Sequence, residues 1–203
     1  MTFPLMPNIT PVGGSGPTYN YVKRATTTGD GFPNTTVSLT AGTKLVVVCC
    51  ELAGFPVNFV RFDGVDMTLV APTTNPLNAS VWVIETSKTS ASITGSGGSG
   101  RSSIEIYEIF NYSSVTPIVS GYSKGSETQS ITLNTSTNMV TLGAGLCNFS
   151  NVAVTATLGP TPITSSIALE GATGHFSWAQ QPTARGATTY TAPVSGGGTL
   201  TEI

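Results

Sequence analysis

The chain has 203 residues, of which 8 are Lys or Arg, 10 are Asp or Glu and 1 is His, so that 9% are charged and the net charge is −2, where an ordinary soluble domain is about 25% charged. So thin a supply of titratable groups leaves little from which to converge acid–base chemistry on a pocket, and so few cations cannot neutralise a phosphate backbone, which excludes nucleic acid as an expected partner. No apolar run approaches the roughly 18 residues of a membrane span, so no membrane association is expected, yet the 39% hydrophobic content suffices for a core.

Residues 1–18 read as an extended assembly arm. Pro4, Pro7, Pro11 and Pro17 deny it a helix and a continuous ladder, and Gly13, Gly14 and Gly16 loosen it. Phe3, Leu5, Met6 and Ile9 give the arm apolar anchors that a mere linker would lack, and they are the expected assembly contacts. The first residues carry neither the basic nor the apolar region of a secretory leader, so synthesis in a cytoplasm is expected.

From Tyr19 onward the period is two. Strands are predicted over Tyr19–Ala25, Thr35–Leu39, Lys44–Glu51, Val57–Asp63, Val65–Val70, Ala79–Thr86 and Ser103–Phe110. Further strands are predicted over Thr128–Leu133, Met139–Leu142, Val152–Leu158, Gly174–Gln181 and Thr188–Ala192. Asp63-Gly64 between two alternating runs signals a two-residue hairpin. The run 44–51 (Lys-Leu-Val-Val-Val-Cys-Cys-Glu) is apolar at both parities, as in a strand covered on both faces. Pro160 to Gly174 reads as loop-rich, and the tail ends in a run able to add a short terminal strand. No window carries a capped 3.6-residue period, so almost no helix is expected. No internal repeat is evident. The division that follows is an arm (1–18), a single antiparallel β-sandwich (19–192) and a short C-terminal tail (193–203).

With 33 Thr and 22 Ser, the strands can keep a polar surface and remain β-competent. The candidate chemistry is sparse. Cys49 and Cys50 are sequence neighbours whose side chains point to opposite faces of a strand, and with Cys147 they read as three reduced thiols packed as small hydrophobes. No Cys/His spacing suits a metal, so no metal and no cofactor are expected. His175 shares a strand face with Ser177, but no carboxylate is placed to orient it and no nucleophile elbow precedes it. Asp63 and Asp66 read as turn chemistry. Glu105 and Glu108 fall on opposite faces of a flat strand, which removes them as a glycosidase pair. No catalytic residue is therefore assigned and no enzyme is expected. Trp82 alternates with valines and reads as core, whereas Tyr112 and Tyr122, beside Ser and Gly turns, are the expected exposed aromatics for a binding surface.

Three segments carry a resemblance. Ala41-Gly42-Thr43 leads into the apolar run 44–51. The run 60–70 (Val-Arg-Phe-Asp-Gly-Val-Asp-Met-Thr-Leu-Val) forms a hairpin pattern. The run 79–84 (Ala-Ser-Val-Trp-Val-Ile) places a tryptophan between apolar neighbours. Together, over roughly residues 35–140, they resemble virion proteins of tailed bacteriophages, in which a Gly-led apolar strand precedes a Val-x-Phe-x-Gly-x-x-Met-Thr-x-Val hairpin. The resemblance implies a jelly-roll-like sandwich located in the virion, most directly a head decoration (cement) protein bound to major capsid or other virion proteins and assembled as a homo-oligomer, with a trimer as the working symmetry. The alternative it implies is a tail or fibre component whose sandwich binds a glycan receptor. It carries no catalytic residues to this sequence.

Overall fold

The computed structural model describes residues 16–27, 29, 31–52, 57–71, 79–97, 102–112, 121–125, 129–135, 140–147, 156–158, 161–163, 166–170, 173–180, 186–192 and 198–202; at 51, 52, 71, 79 and from 121 on, Val140 apart, it describes backbone and strand pairing. Every regular element among them is a β-strand, with no helix, and the sheets are antiparallel. The all-β expectation is met.

The first half contains β1 (Thr18–Thr27), β2 (Thr35–Ser38), β3 (Lys44–Leu52), β4 (Phe59–Phe62), β5 (Val65–Asp66), β6 (Thr68–Ala71), β7 (Ala79–Thr86), β8 (Ser90–Ser96) and β9 (Ser102–Phe110). They form two sheets, ordered β1-β9-β3-β7-β6 and β2-β8-β4-β5. The central strand β3 explains the arrangement. Its Val46, Val48 and Cys50 join Trp82, Ile104 and Ile106 in one cluster, which is completed by Val37, Val60, Phe62 and Ile93 from the second sheet. Its Leu45, Val47 and Cys49 point the other way and join Val81, Val83, Tyr107 and Ile109. All six of these β3 side chains are buried, as the unbroken apolar run requires. Lys44 opens the strand fully buried, and its Nζ donates to the carbonyls of Gly42 (3.0 Å) and Lys88 (2.8 Å).

The Asp63-Gly64 turn forms as expected, with both residues at positive φ (48° and 81°) and β4 paired to β5 across it, the geometry of a type I′ hairpin. The expected single strand over Val65–Val70 is instead broken at Met67. Residues before the break pair with β4 in one sheet, and residues after it pair with β7 in the other. The chain crosses between sheets there, with Met67 buried in the core and its amide donating to the Val60 carbonyl at 2.8 Å. Strand β8 was not expected, because Ser90–Ser96 is rich in Ser, Thr and Gly; Ala91 and Ile93 alone carry its buried face.

The second half contains β10 (Gly121–Gly125), β11 (Gln129–Thr135), β12 (Thr141–Cys147), β13 (Ala156–Leu158), β14 (Thr161–Ile163), β15 (Ser166–Glu170), β16 (Thr173–Gln180), β17 (Gly186–Ala192) and β18 (Gly198–Glu202). Strands β14 and β15 fall in the stretch read as loop, and β10 was likewise not expected. Their sheets are ordered β10-β18-β12-β16-β15 and β11-β17-β13-β14, the same order as in the first half, strand for strand. The terminal strand β18 is interior to its sheet, between β10 and β12. Strands β12 and β16 lie against β3, so the C-terminal half covers the second face of the central sheet.

One glycine tests the packing between β4 and β8. A Cβ on Gly95 would meet Cδ2 of Phe32 at 2.7 Å and the Phe59 carbonyl oxygen at 2.8 Å, and the backbone oxygen cannot yield cheaply. Gly95→Ala is expected to lower stability by about 1–3 kcal/mol, read as a lower urea midpoint with unchanged slope.

Candidate functional site

Among the described residues, three places gather polar side chains. The first is on strands β1 and β9. Their register sets Tyr21 opposite Tyr107 and Arg24 opposite Glu105, with a shift between Tyr21 and Lys23. That irregularity matters, because residues three apart on a regular strand face opposite ways; the extra residue brings Tyr21 and Arg24 to the same side. Arg24 forms an ion pair with Glu105, whose side chain is 0% exposed against 18% for the arginine. The Tyr107 hydroxyl donates to Glu105 Oε2 at 3.3 Å, and the Tyr21 ring meets Tyr107 edge-on, with centroids 5.7 Å apart and planes at 68°. A carboxylate held this way by a guanidinium and a phenol is a structural anchor.

The second place is the β4–β5 hairpin. Asp63 Oδ1 accepts from the Ser92 amide (2.7 Å) and hydroxyl (3.2 Å), and its Oδ2 accepts from Lys88 Nζ (2.7 Å). These bonds, that to Lys88 foremost, hold the Asp63 carboxyl below its ordinary range. Arg61 donates to Asp66 at 2.6 Å and lies 4.3 Å above the Phe59 ring centroid. Both aspartates thus serve the turn and its flanks, in the way their positions suggested.

The third place is the end of β9. Glu108 is buried and accepts from the amide (2.6 Å) and hydroxyl (2.8 Å) of Thr40, clamping the loop before β3. Glu105 and Glu108 therefore serve different faces and different partners. Beyond β9, Asn111 takes a positive φ of 55° and Tyr112 folds back against the Leu45–Val47 cluster. Its hydroxyl donates to Glu85 Oε2 at 2.7 Å. Burial and that carboxylate raise the Tyr112 phenol well above its usual range.

Of the residues singled out from sequence, Tyr112 is thus half-buried and tied down. Tyr122 lies on β10 opposite Thr201, and His175 and Ser177 lie on β16 opposite Leu146 and Ala144; their side chains are outside the described residues. Phe3, Leu5, Met6 and Ile9 also lie outside them. Trp82 is core, with Nε1 donating to Ser80 Oγ at 2.9 Å. Cys49 and Cys50 are buried on opposite faces. Among the described residues no cluster of His, Cys, Asp and Glu is placed to hold a metal ion. Among the described residues, the exposed aromatics are Tyr19 and Tyr21, 36% and 51% exposed on the edge strand β1. Their i, i+2 spacing on a strand was the available signal.

Two outcomes follow from this geometry. Arg24→Met leaves the Glu105 carboxylate buried without its counter-charge and is expected to cost about 3–5 kcal/mol, whereas Arg24→Met combined with Glu105→Leu recovers most of that loss; chemical denaturation of the two variants checks it. At the hairpin, the stability that Asp63 contributes is present above the ordinary carboxylate pKa and lost as pH falls through its lowered folded value. Nuclear magnetic resonance titration should therefore place Asp63 below 3.8, and Asp63→Asn, which tolerates the positive φ, should flatten the acid limb of the stability profile.

No protein-family model matches this chain, and neither does any curated protein or any solved structure.

Proposed function

We propose that this chain is a non-enzymatic structural protein of a bacteriophage virion, a capsid decoration protein that cements neighbouring subunits through a jelly-roll-like sandwich. The observation that carries the reading is the strand order. When the edge strand β6 is set aside and the others are renumbered in chain order, the first half reads 1-8-3-6 in one sheet and 2-7-4-5 in the other. That order supports reading the first half as an eight-stranded double Greek key, an architecture used by viral capsid and lectin domains. The burial supports it too, because a sheet apolar on both faces belongs to a protein built by stacking layers. A low charge reduces like-charge repulsion among many copies set side by side, and the arm over residues 1–18 would supply contacts to a neighbour by strand addition.

A second reading is a tail or fibre component that binds a glycan receptor. Tyr19 and Tyr21 favour it, since two exposed rings on one strand face offer a stacking platform for pyranose rings.

Particle localisation separates the two. Purified virions should carry the protein at a copy number comparable with the major capsid protein, and a gold-labelled tag should decorate heads. Label confined to tails, together with glycan-array binding abolished by Tyr19→Ala/Tyr21→Ala, would favour the second reading. Absence from particles would overturn both.

A further inference from the structure

The two halves share more than a strand order. In the first, Val48 of β3 stands opposite Trp82 of β7 and Ile106 of β9, and Cys50 stands opposite Ser80 and Ile104. In the second, Gly143 of β12 stands opposite Trp178 of β16 and Glu202 of β18, and Gly145 stands opposite Phe176 and Leu200. Trp178 lies as far beyond Trp82 in the chain as Phe176 lies beyond Ser80, Leu200 beyond Ile104 and Glu202 beyond Ile106. Strands β17 and β18 begin at that same displacement from β8 and β9. Register across three strands is set residue by residue, and a one-residue slip would turn every side chain to the other face. Strand β12 stands one residue short of that displacement from β3, yet the pairing of all three strands is kept, which is a stronger correspondence than a shared topology.

The contacts between halves have their own regularity. Strand β12 lies against β3 and β7, β16 against β3 and β9, and β18 against β7. Exchanging each strand for its counterpart (β3 for β12, β7 for β16, β9 for β18) returns the same set: β12 on β3 maps to itself, β12 on β7 becomes β16 on β3, and β16 on β9 becomes β18 on β7. Such reciprocity defines an isologous interface, in which one patch is used twice about a two-fold axis. Val140, directly before β12, packs against the very cluster that contains Leu45. Leu142 and Ala144 hold the positions of Val47 and Cys49, and the pattern is again apolar.

We infer that the chain is a tandem repeat of one nine-strand unit, with the two copies docked face to face through equivalent sheets as an intramolecular pseudo-dimer. The partner that the second face of β9-β3-β7 fits is a structural copy of its own unit. The inference does not depend on a virion location. It divides the chain near residues 113–120, unlike the single sandwich over 19–192 expected from sequence.

Adjacent cysteines supply the test. Cys50 is buried inside the first unit, whereas Cys49 is buried on the face turned to the second. In the full chain, Val47→Glu places a charge on the docking face and Val48→Glu places one inside the first unit. Alkylation under reducing conditions, read by peptide mass spectrometry, should show Val47→Glu raising the Cys49 rate on the order of a hundredfold with Cys50 unchanged, while Val48→Glu exposes both. As a second measurement, a protease site inserted between residues 116 and 117 should yield two fragments that co-elute in the wild type and separate in Val47→Glu. If Val47→Glu exposes Cys49 and Cys50 together, or its cleaved fragments never separate, the halves form one continuous core and the inference fails.

Discussion

Strand β3 cannot be satisfied by one layer of cover. Its six core residues alternate between two apolar clusters, and burying each valine-sized side chain is worth about 1.5–3 kcal/mol. Leaving the Leu45, Val47 and Cys49 side bare would forfeit a sum comparable with the whole stability of a typical domain, about 5–15 kcal/mol. The second sheet of the first half shields one side and the C-terminal half shields the other. The polar groups on the central sheet are arranged around this constraint: Glu105 is neutralised by Arg24 where it would otherwise interrupt the covered face, and Glu108 and Lys44 spend their bonding capacity on loop backbone and Thr40 at the sheet's end.

What could be read from the residues follows from where the physics is local. Runs rich in valine, isoleucine and aromatic residues, as in β3, β7 and β9, announce themselves, and Asp63-Gly64 fixes a turn because both positions need positive φ. Strand β8 escaped because its inward positions are only Ala91 and Ile93 and its Gly95 is demanded by the Phe32 ring, a contact made across the fold. The break at Met67 escaped because the choice between two sheets is made by partners distant in sequence. The repeat was invisible for a related reason: at the register positions of Val46, Val48 and Cys50 the second half carries Thr141, Gly143 and Gly145, so the shared architecture is not written in shared residues.

The candidate site was legible in part. Parity separated Glu105 from Glu108, and turn chemistry assigned Asp63 and Asp66 to the hairpin. Parity misleads on β1, however, where the bulge joins Tyr21 and Arg24 on one side despite their odd spacing. Tyr112 was attractive as a surface aromatic because it precedes two serines, yet the positive φ at Asn111 turns it back onto the sheet.

Strand β1 has a mechanical consequence. Among the described residues it is a sheet edge paired with β9, with ladder bonds running across its length from Thr18↔Phe110 to Thr27↔Ser102. A pull on Thr18 directed along the strand axis would load those antiparallel bonds, which run perpendicular to the strands, in parallel as shear. Arg24 on Glu105 and Lys23 on the Thr36 carbonyl brace the strand toward its far end, against two different sheets. A tether attached ahead of β1 would thus transmit force to the body of the protein through a ladder loaded in shear rather than through one bond at a time.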